Sequence, residues 1–182
     1  MRLINVFVFF TLGLGLFAQN DNNANGPTGQ ITSAEMRIKG LVGTTYVIST
    51  VNALKKIPQV ADVRNLNVEH GSMVVALKKD NELSFQELQD KLFSAIKSGG
   101  CLCDAIGKVS IESMIKKDSY GFFVSIAHEK IYLGLLAKKA PRRLSKKIEK
   151  WFKNGSWVIA TGLLHKHDNN TLGMSDTIIE EL

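Results

Sequence analysis

The order in which hydrophobic period changes between Met36 and Asp104 limits the folds open to this chain more than any other feature. Met36-Arg37-Ile38-Lys39 alternates apolar and polar, as a half-buried strand does. Beyond the loop Gly40 to Tyr46, the residues Val47, Val51 and Leu54 recur at helical spacing until Ile57-Pro58 stops the turn. Val60 to Leu77 reads as a strand and hairpin turning at His70-Gly71. Ser84 and Glu87 then make a capping box ahead of Phe85, Leu88, Leu92 and Ile96. Gly99-Gly100 ends that helix, and Cys101 to Ile106 reads as a last strand.

Strand, helix, strand, strand, helix, strand is the ferredoxin-like βαββαβ order, predicted here over residues 34–107. The same residues resemble the heavy-metal-associated (HMA) domain of copper chaperones and metal-transporting ATPases. Against that family's loop Gly-Met-Thr-Cys-x-x-Cys-Val, this chain sets Gly40, Leu41, Val42, Gly43, Thr44, Thr45, Tyr46 and Val47, and the family's later apolar step falls on Leu54, Ile57 and Val60. Gly43 and Tyr46 therefore stand where the metal thiols should be. Neither supplies the soft thiolate that holds Cu(I) or Zn(II), so the loop is degenerate and the family's usual site is absent.

At the amino end Arg2 precedes an apolar run from Leu3 to Ala18, and a polar stretch begins at Gln19. This reads as a signal peptide over 1–18 cleaved near Ala18, because the run is shorter than the roughly twenty residues that span a bilayer. An uncleaved anchor is the rival reading. Residues 19–33, rich in Asn, Gly, Thr and Gln, are expected to be a flexible leader. The expected location is periplasmic or secreted.

Export bears on the two cysteines, because free thiols are a liability in an oxidising compartment. Cys101-Leu102-Cys103 is too tightly spaced for a relaxed disulfide, since residues two apart on a strand face the same way. The thiols stay free, bind something or pair with another chain. The resemblance implies more: Cys101 falls where family members often carry tyrosine, so Tyr46 and Cys101 have exchanged places. It implies a displaced copper or zinc site with Cys101 and Cys103 as thiolates and Tyr46 covering them. The plainer reading of the same residues is that Cys103 packs inward as a small apolar side chain and Cys101 is incidental.

Residues 108–182 are expected to form a second, small β-rich unit. Lys108 to Lys117 is irregular, Tyr120 to Ala127 and Lys130 to Ala137 flank a turn at His128-Glu129, and Pro141 is placed as a first helical residue. Leu144, Ile148, Trp151 and Phe152 form one apolar stripe before Asn154-Gly155, and strands are expected over Trp157 to Leu164 and Thr171 to Ile179 around the turn Asp168-Asn169-Asn170. The strand Trp157 to Leu164 resembles Val-x-Val-x-Gly-x-Leu in small OB-type modules of exported bacterial proteins. Such barrels bind single-stranded nucleic acid or sugars in other settings.

The chain carries net charge +6, and eight of its 23 Lys and Arg residues gather in one stretch. Lys138, Lys139, Arg142, Arg143, Lys146, Lys147, Lys150 and Lys153 stand against the single acid Glu149. Such a stripe meets an acidic protein or anionic surface, or is a solvated face whose lysine stems cover the core. Export argues against nucleic acid. His165 and His167, two apart beside the expected Asp168-Asn169-Asn170 turn, are placed to share a face and are weighed as imidazole ligands, with Asp168 or a residue from elsewhere completing the set. His70 and His128 fall at expected turns. No Gly-x-Ser-x-Gly, His-Glu-x-x-His or phosphate loop is present. The sequence therefore reads as a binding protein rather than an enzyme. Either it takes a soft metal at Cys101 and Cys103, or it is a metal-free module docking through its basic helix.

Overall fold

In the computed structural model, which describes residues 27–133, 142–168 and 171–182, the chain begins with β1 (Gln30–Lys39), α1 (Gly43–Lys55), β2 (Val60–Asn67) and β3 (Ser72–Leu77). It continues through α2 (Phe85–Ser98), β4 (Leu102–Met114), β5 (Lys116–Lys117), β6 (Phe122–Ile126) and β7 (Glu129–Leu133), and ends with α3 (Arg142–Asn154), β8 (Trp157–Asp168) and β9 (Thr171–Glu181). Among the described residues the strands form one sheet in the order β2-β3-β1-β4-β8-β9-β7-β6-β5.

The first half is ferredoxin-like. Its strands β2, β3, β1 and β4 pair antiparallel throughout. The sheet face is closed by Thr50 and Leu54 of α1 and by Leu88, Leu92 and Ile96 of α2, packed on Met36, Met73 and Val75. The capping box forms as read: Glu87 N donates to Ser84 Oγ at 3.2 Å, and Ser84 N donates to Glu87 Oε2 at 3.0 Å.

Two boundaries need correction. The expected leader over 19–33 ends too late, because β1 starts at Gln30 and Ile31 is fully buried. These polar residues gain order from neighbours on both sides, with Ser33 opposite both Ala76 and Ser110. The expected break at 107 falls inside β4, which pairs with β1 along one edge and with β8 along the other. Lys108 to Met114 looked irregular because Gly107 and Ser113 share the buried face with Val109 and Ile111, while Ile106 and Met114 are half-buried outside that alternation.

Beyond β4 the sheet curls back on itself. Ile115 alone separates β4 from β5, and β5 pairs with β6. The path β4-β8-β9-β7-β6-β5 thus returns to the stretch of chain where it began. The β7–β9 pair is parallel, which requires a long connection, and α3 lies within it. Ile148 and Trp151 bury one side of α3, and Gly155 at φ +63° ends it: Ser156 N donates to Trp151 O at 3.0 Å and Gly155 N to Phe152 O at 3.2 Å. The β6–β7 turn sits at Ala127-His128, one residue before the position expected, with Ala127 at φ +43°. Strand β8 runs on to Asp168, so His165 and His167 lie within a strand rather than beside a turn.

The signal segment 1–18, the leader as far as 26, Gly134 to Ala137, Lys138, Lys139, Pro141, Asn169 and Asn170 lie outside the described residues. Among the described residues no helix is long and apolar enough to cross a membrane.

Candidate functional site

Antiparallel pairing brings three connections to one end of the ferredoxin-like half. Lys39 at the end of β1 faces Leu102 at the start of β4, and Ser72 at the start of β3 faces both Arg37 and Asn67. The loop before α1, the β2–β3 turn and the α2–β4 connection therefore meet there. Ile38 N donates to Gly71 O at 2.6 Å, which pins the turn against β1. Helix α1 opens at Gly43, φ +77°, and Val42 gives it no side-chain cap.

The α2 C-terminus determines where Cys101 points. Gly100, at φ +88°, donates to Lys97 O at 3.1 Å, and Cys101 N donates to Ile96 O at 3.1 Å, the pair of bonds of a Schellman turn. This turns Cys101 inward, where it is 2% exposed and its thiol donates to Gly40 O at 3.3 Å. The Tyr46 ring lies over Gly100, 3.2 Å from where a Cβ on that glycine would be. Tyr46 and Cys101 thus flank the same glycine, one side exposed and one buried.

Cys103 is half-buried opposite Ile38, its sulfur 3.6 Å from Arg37 O and 3.7 Å from Ala105 O. Burial pushes its thiol up to about 11, so the thiolate a soft metal needs is not its resting form at neutral pH. His165 is exposed on β8 opposite Gly173, beyond Leu163, the last β8 residue paired with β4. His167 follows on the same strand, and its side chain lies outside the described residues. Among the described residues no three of His, Cys, Asp and Glu come together as a metal group. The donors do not fit a closed tetrahedral zinc site. Two sulfurs against neighbouring carbonyls, from Gly40 and Arg37, are the soft donors at this end.

Large apolar side chains are also exposed towards this end: Val42 is 67% exposed and Leu102 63%, and Tyr46 in the first turn of α1, Leu66 in β2 and Val68 in the β2–β3 turn are exposed as well. Sequence reading singled out Tyr46 but passed over the other four, because Val42 and Leu102 sit next to turn residues and Leu66 and Val68 flank a hairpin tip. The available signal was a pair of large apolar residues bracketing a turn, where polar ones are usual.

The basic helix is less distinctive. Lys146, Lys147, Lys150 and Lys153 are exposed on α3, and Lys153 pairs with Glu149 at 3.1 Å, one turn away. The side chains of Arg142 and Arg143, and all of Lys138 and Lys139, lie outside the described residues.

No protein-family model matches the chain, and no curated protein matches it. Two solved structures are similar to part of it. One, described by the words "Crosstalk between Cu(I) and Zn(II) homeostasis", is 20% identical, covers 41% of this chain and 96% of its own, and has a TM-score of 0.34. The other is the yeast copper transporter domain CCC2A in the apo and Cu(I)-loaded states, 16% identical over 41% of this chain and 93% of its own, with a TM-score of 0.34.

Proposed function

We propose that this chain is a non-enzymatic binding protein that docks a partner protein on the loop end of its ferredoxin-like half, and does so without a metal. The observation that carries this reading is the exposure of Val42, Tyr46, Leu66, Val68 and Leu102 at or near the three connections of one end. Clustered exposed apolar residues mark interaction sites, and aromatic side chains are enriched in them. The second half supports it as a buttress. We read this half as OB-like, a reading that its strand path β5-β6-β7-β9-β8-β4, with one parallel pair and α3 ahead of β8, supports. The exposed lysines of α3 offer an acidic partner a secondary contact.

A photo-crosslinking residue in place of Val42, used in the native compartment, should give one dominant protein adduct, and Leu102→Glu should abolish it. The same residue placed at exposed Glu180, on β9, should give none. Equal adducts from both positions would show that the loop end is ordinary surface.

The second reading keeps a soft cation of the Cu(I) type at Cys101 and Cys103, favoured by the two sulfurs lying against Gly40 O and Arg37 O of one short segment. Binding would have to displace both thiol protons, so affinity should fall as pH falls. A titration of reduced protein should then reach about one equivalent of Cu(I), and replacing both cysteines by serine should abolish uptake while His165→Ala and His167→Ala leave it intact. Equal uptake by the wild type and the double-serine variant eliminates this reading.

A further inference from the structure

Helix α3 has two unlike sides. Leu144, Ile148 and Trp151 recur on one and pack into the core, while Lys146, Lys150 and Lys153, spaced at i, i+4 and i+7, lie exposed on the other with Lys147 on the flank. In the chain they follow Lys138, Lys139, Arg142 and Arg143, so residues 138–153 set eight cations against Glu149. Two acids temper this charge without cancelling it. Glu149 pairs with Lys153 at 3.1 Å, and Glu181 accepts from Ser156 Oγ at 2.7 Å within the field of Lys150.

Tertiary contacts extend the cationic face beyond the helix. The Phe152 ring meets Phe122 edge-on with centroids 5.7 Å apart, and Lys117 Nζ lies 5.0 Å from the centre of that same Phe122 ring. Exposed Lys117, on β5, is thereby brought beside α3.

The turn between β5 and β6 adds an aromatic ring. Tyr120, two residues before Phe122, is 78% exposed, and its turn is pinned so that it cannot fold the ring away. Asp118 Oδ1 accepts from Tyr120 N at 2.9 Å and from Gly121 N at 3.3 Å. Asp118 Oδ2 accepts from Tyr132 OH at 2.7 Å and from Lys130 Nζ at 3.0 Å, which ties the turn to β7. The Tyr120 ring stands edge-on to Tyr132, centroids 6.3 Å apart.

We propose that α3 and the β5–β6 turn form a docking face for an anionic lipid bilayer, with the lysines over the headgroups and Tyr120 seated among them. The described cations of this face are lysines. Each carries a compact charge on a flexible stem, which suits a laterally mobile layer of phosphates, whereas an oriented carboxylate on a folded partner is better met by the fork of arginine. Tyrosine joins an apolar ring to a polar hydroxyl and is enriched at the headgroup level of membranes. An acidic partner protein would compete with lipid for the same lysines.

Cosedimentation of the full chain with two kinds of vesicle tests this, phosphatidylcholine alone and phosphatidylcholine mixed with phosphatidylglycerol. Binding is expected to the mixed vesicles only, and it should weaken as salt shortens the Debye length below about 8 Å. Lys146→Glu with Lys150→Glu should weaken it at least about tenfold, because each lysine near an anionic surface contributes several-fold to affinity. Lys78→Glu with Lys91→Glu makes the same change of net charge on exposed residues of the first half and should have little effect. Tyr120→Ala should weaken binding by about threefold, and Tyr120→Trp should not. Leu102→Glu should leave vesicle binding intact, so this face and the loop-end reading fail separately. The proposal is overturned if neutral vesicles bind as well, if neither kind binds, if the two lysine double variants lose affinity equally, if Tyr120→Ala binds as the native chain does or if Leu102→Glu abolishes binding. It is also overturned if polyglutamate or single-stranded DNA holds the chain as tightly as the mixed vesicles do.

Discussion

Replacing Ile111 by alanine should lower stability by about 2–5 kcal/mol and should do so for both halves of the molecule at once. Ile111 is fully buried in β4, opposite Ile31 of β1 on one side and Ala160 of β8 on the other. Its side chain belongs to the one apolar cluster that joins Met73 and Leu92 in the first half to Val158 and Ile179 in the second. A cavity made there removes packing that both halves share, and no linker separates them. Denaturation followed by the fluorescence of Trp151 and Trp157, which report on the second half, should coincide with the loss of β2 and β3 amide signals, which report on the first. Two separate midpoints, with only one displaced by the substitution, would show that the halves fold independently.

Gly99→Ala should have the next largest effect, although it adds a single methyl group. A Cβ on Gly99 would lie 2.6 Å from the Cα of Thr50 and 2.9 Å from its backbone N, and these atoms cannot swing aside as a side chain would. Thr50 is fully buried in α1, so the clash is relieved by moving one helix against the other. Overpacking of this kind costs about 1–3 kcal/mol, and Gly99→Val should cost more. The displacement also reaches the loop end. Helix α1 starts at Gly43 and carries Tyr46, while Gly99 leads directly into the turn that buries Cys101. Alkylation of Cys101 in folded protein should therefore accelerate in Gly99→Ala and stay slow in Lys97→Ala, which changes an exposed side chain on the same turn. Unchanged stability and unchanged alkylation in Gly99→Ala would mean that the two helices do not meet as described.

The parts of the structure legible in the chain are those made by residues close together in it. The capping box of Ser84 and Glu87, the Gly100 turn and the Gly155 turn each close within five residues or fewer, so residue type and spacing suffice to predict them. The apolar stripes of α2 and α3 were readable for the same reason, because Leu88, Leu92 and Ile96, or Ile148 and Trp151, repeat at the pitch of one helix. Strand ends and unit boundaries were not. Gln30 to Ser33 and Lys108 to Met114 carry too few apolar residues to announce a strand, and they become one by pairing with segments some 40 to 80 residues away.

By itself, then, the sequence determined the order of helices and strands as far as the start of β4, the capping box that opens α2, the glycines that close α2 and α3, and the absence of thiols at Gly43 and Tyr46. Only the tertiary structure decided that β4 passes through the expected boundary and binds two sets of strands into one sheet. It also decided that Cys101 faces inward to Gly40 and that burial holds the Cys103 proton. The exposure of Val42, Leu66 and Leu102 towards one end follows only once β1 has found both of its partners, and the approach of Lys117 to α3 only once Phe122 meets Phe152. Local pattern records the covalent neighbourhood of a residue; which groups meet across the sheet, and which of them lose water, follows from pairing between segments far apart in the chain.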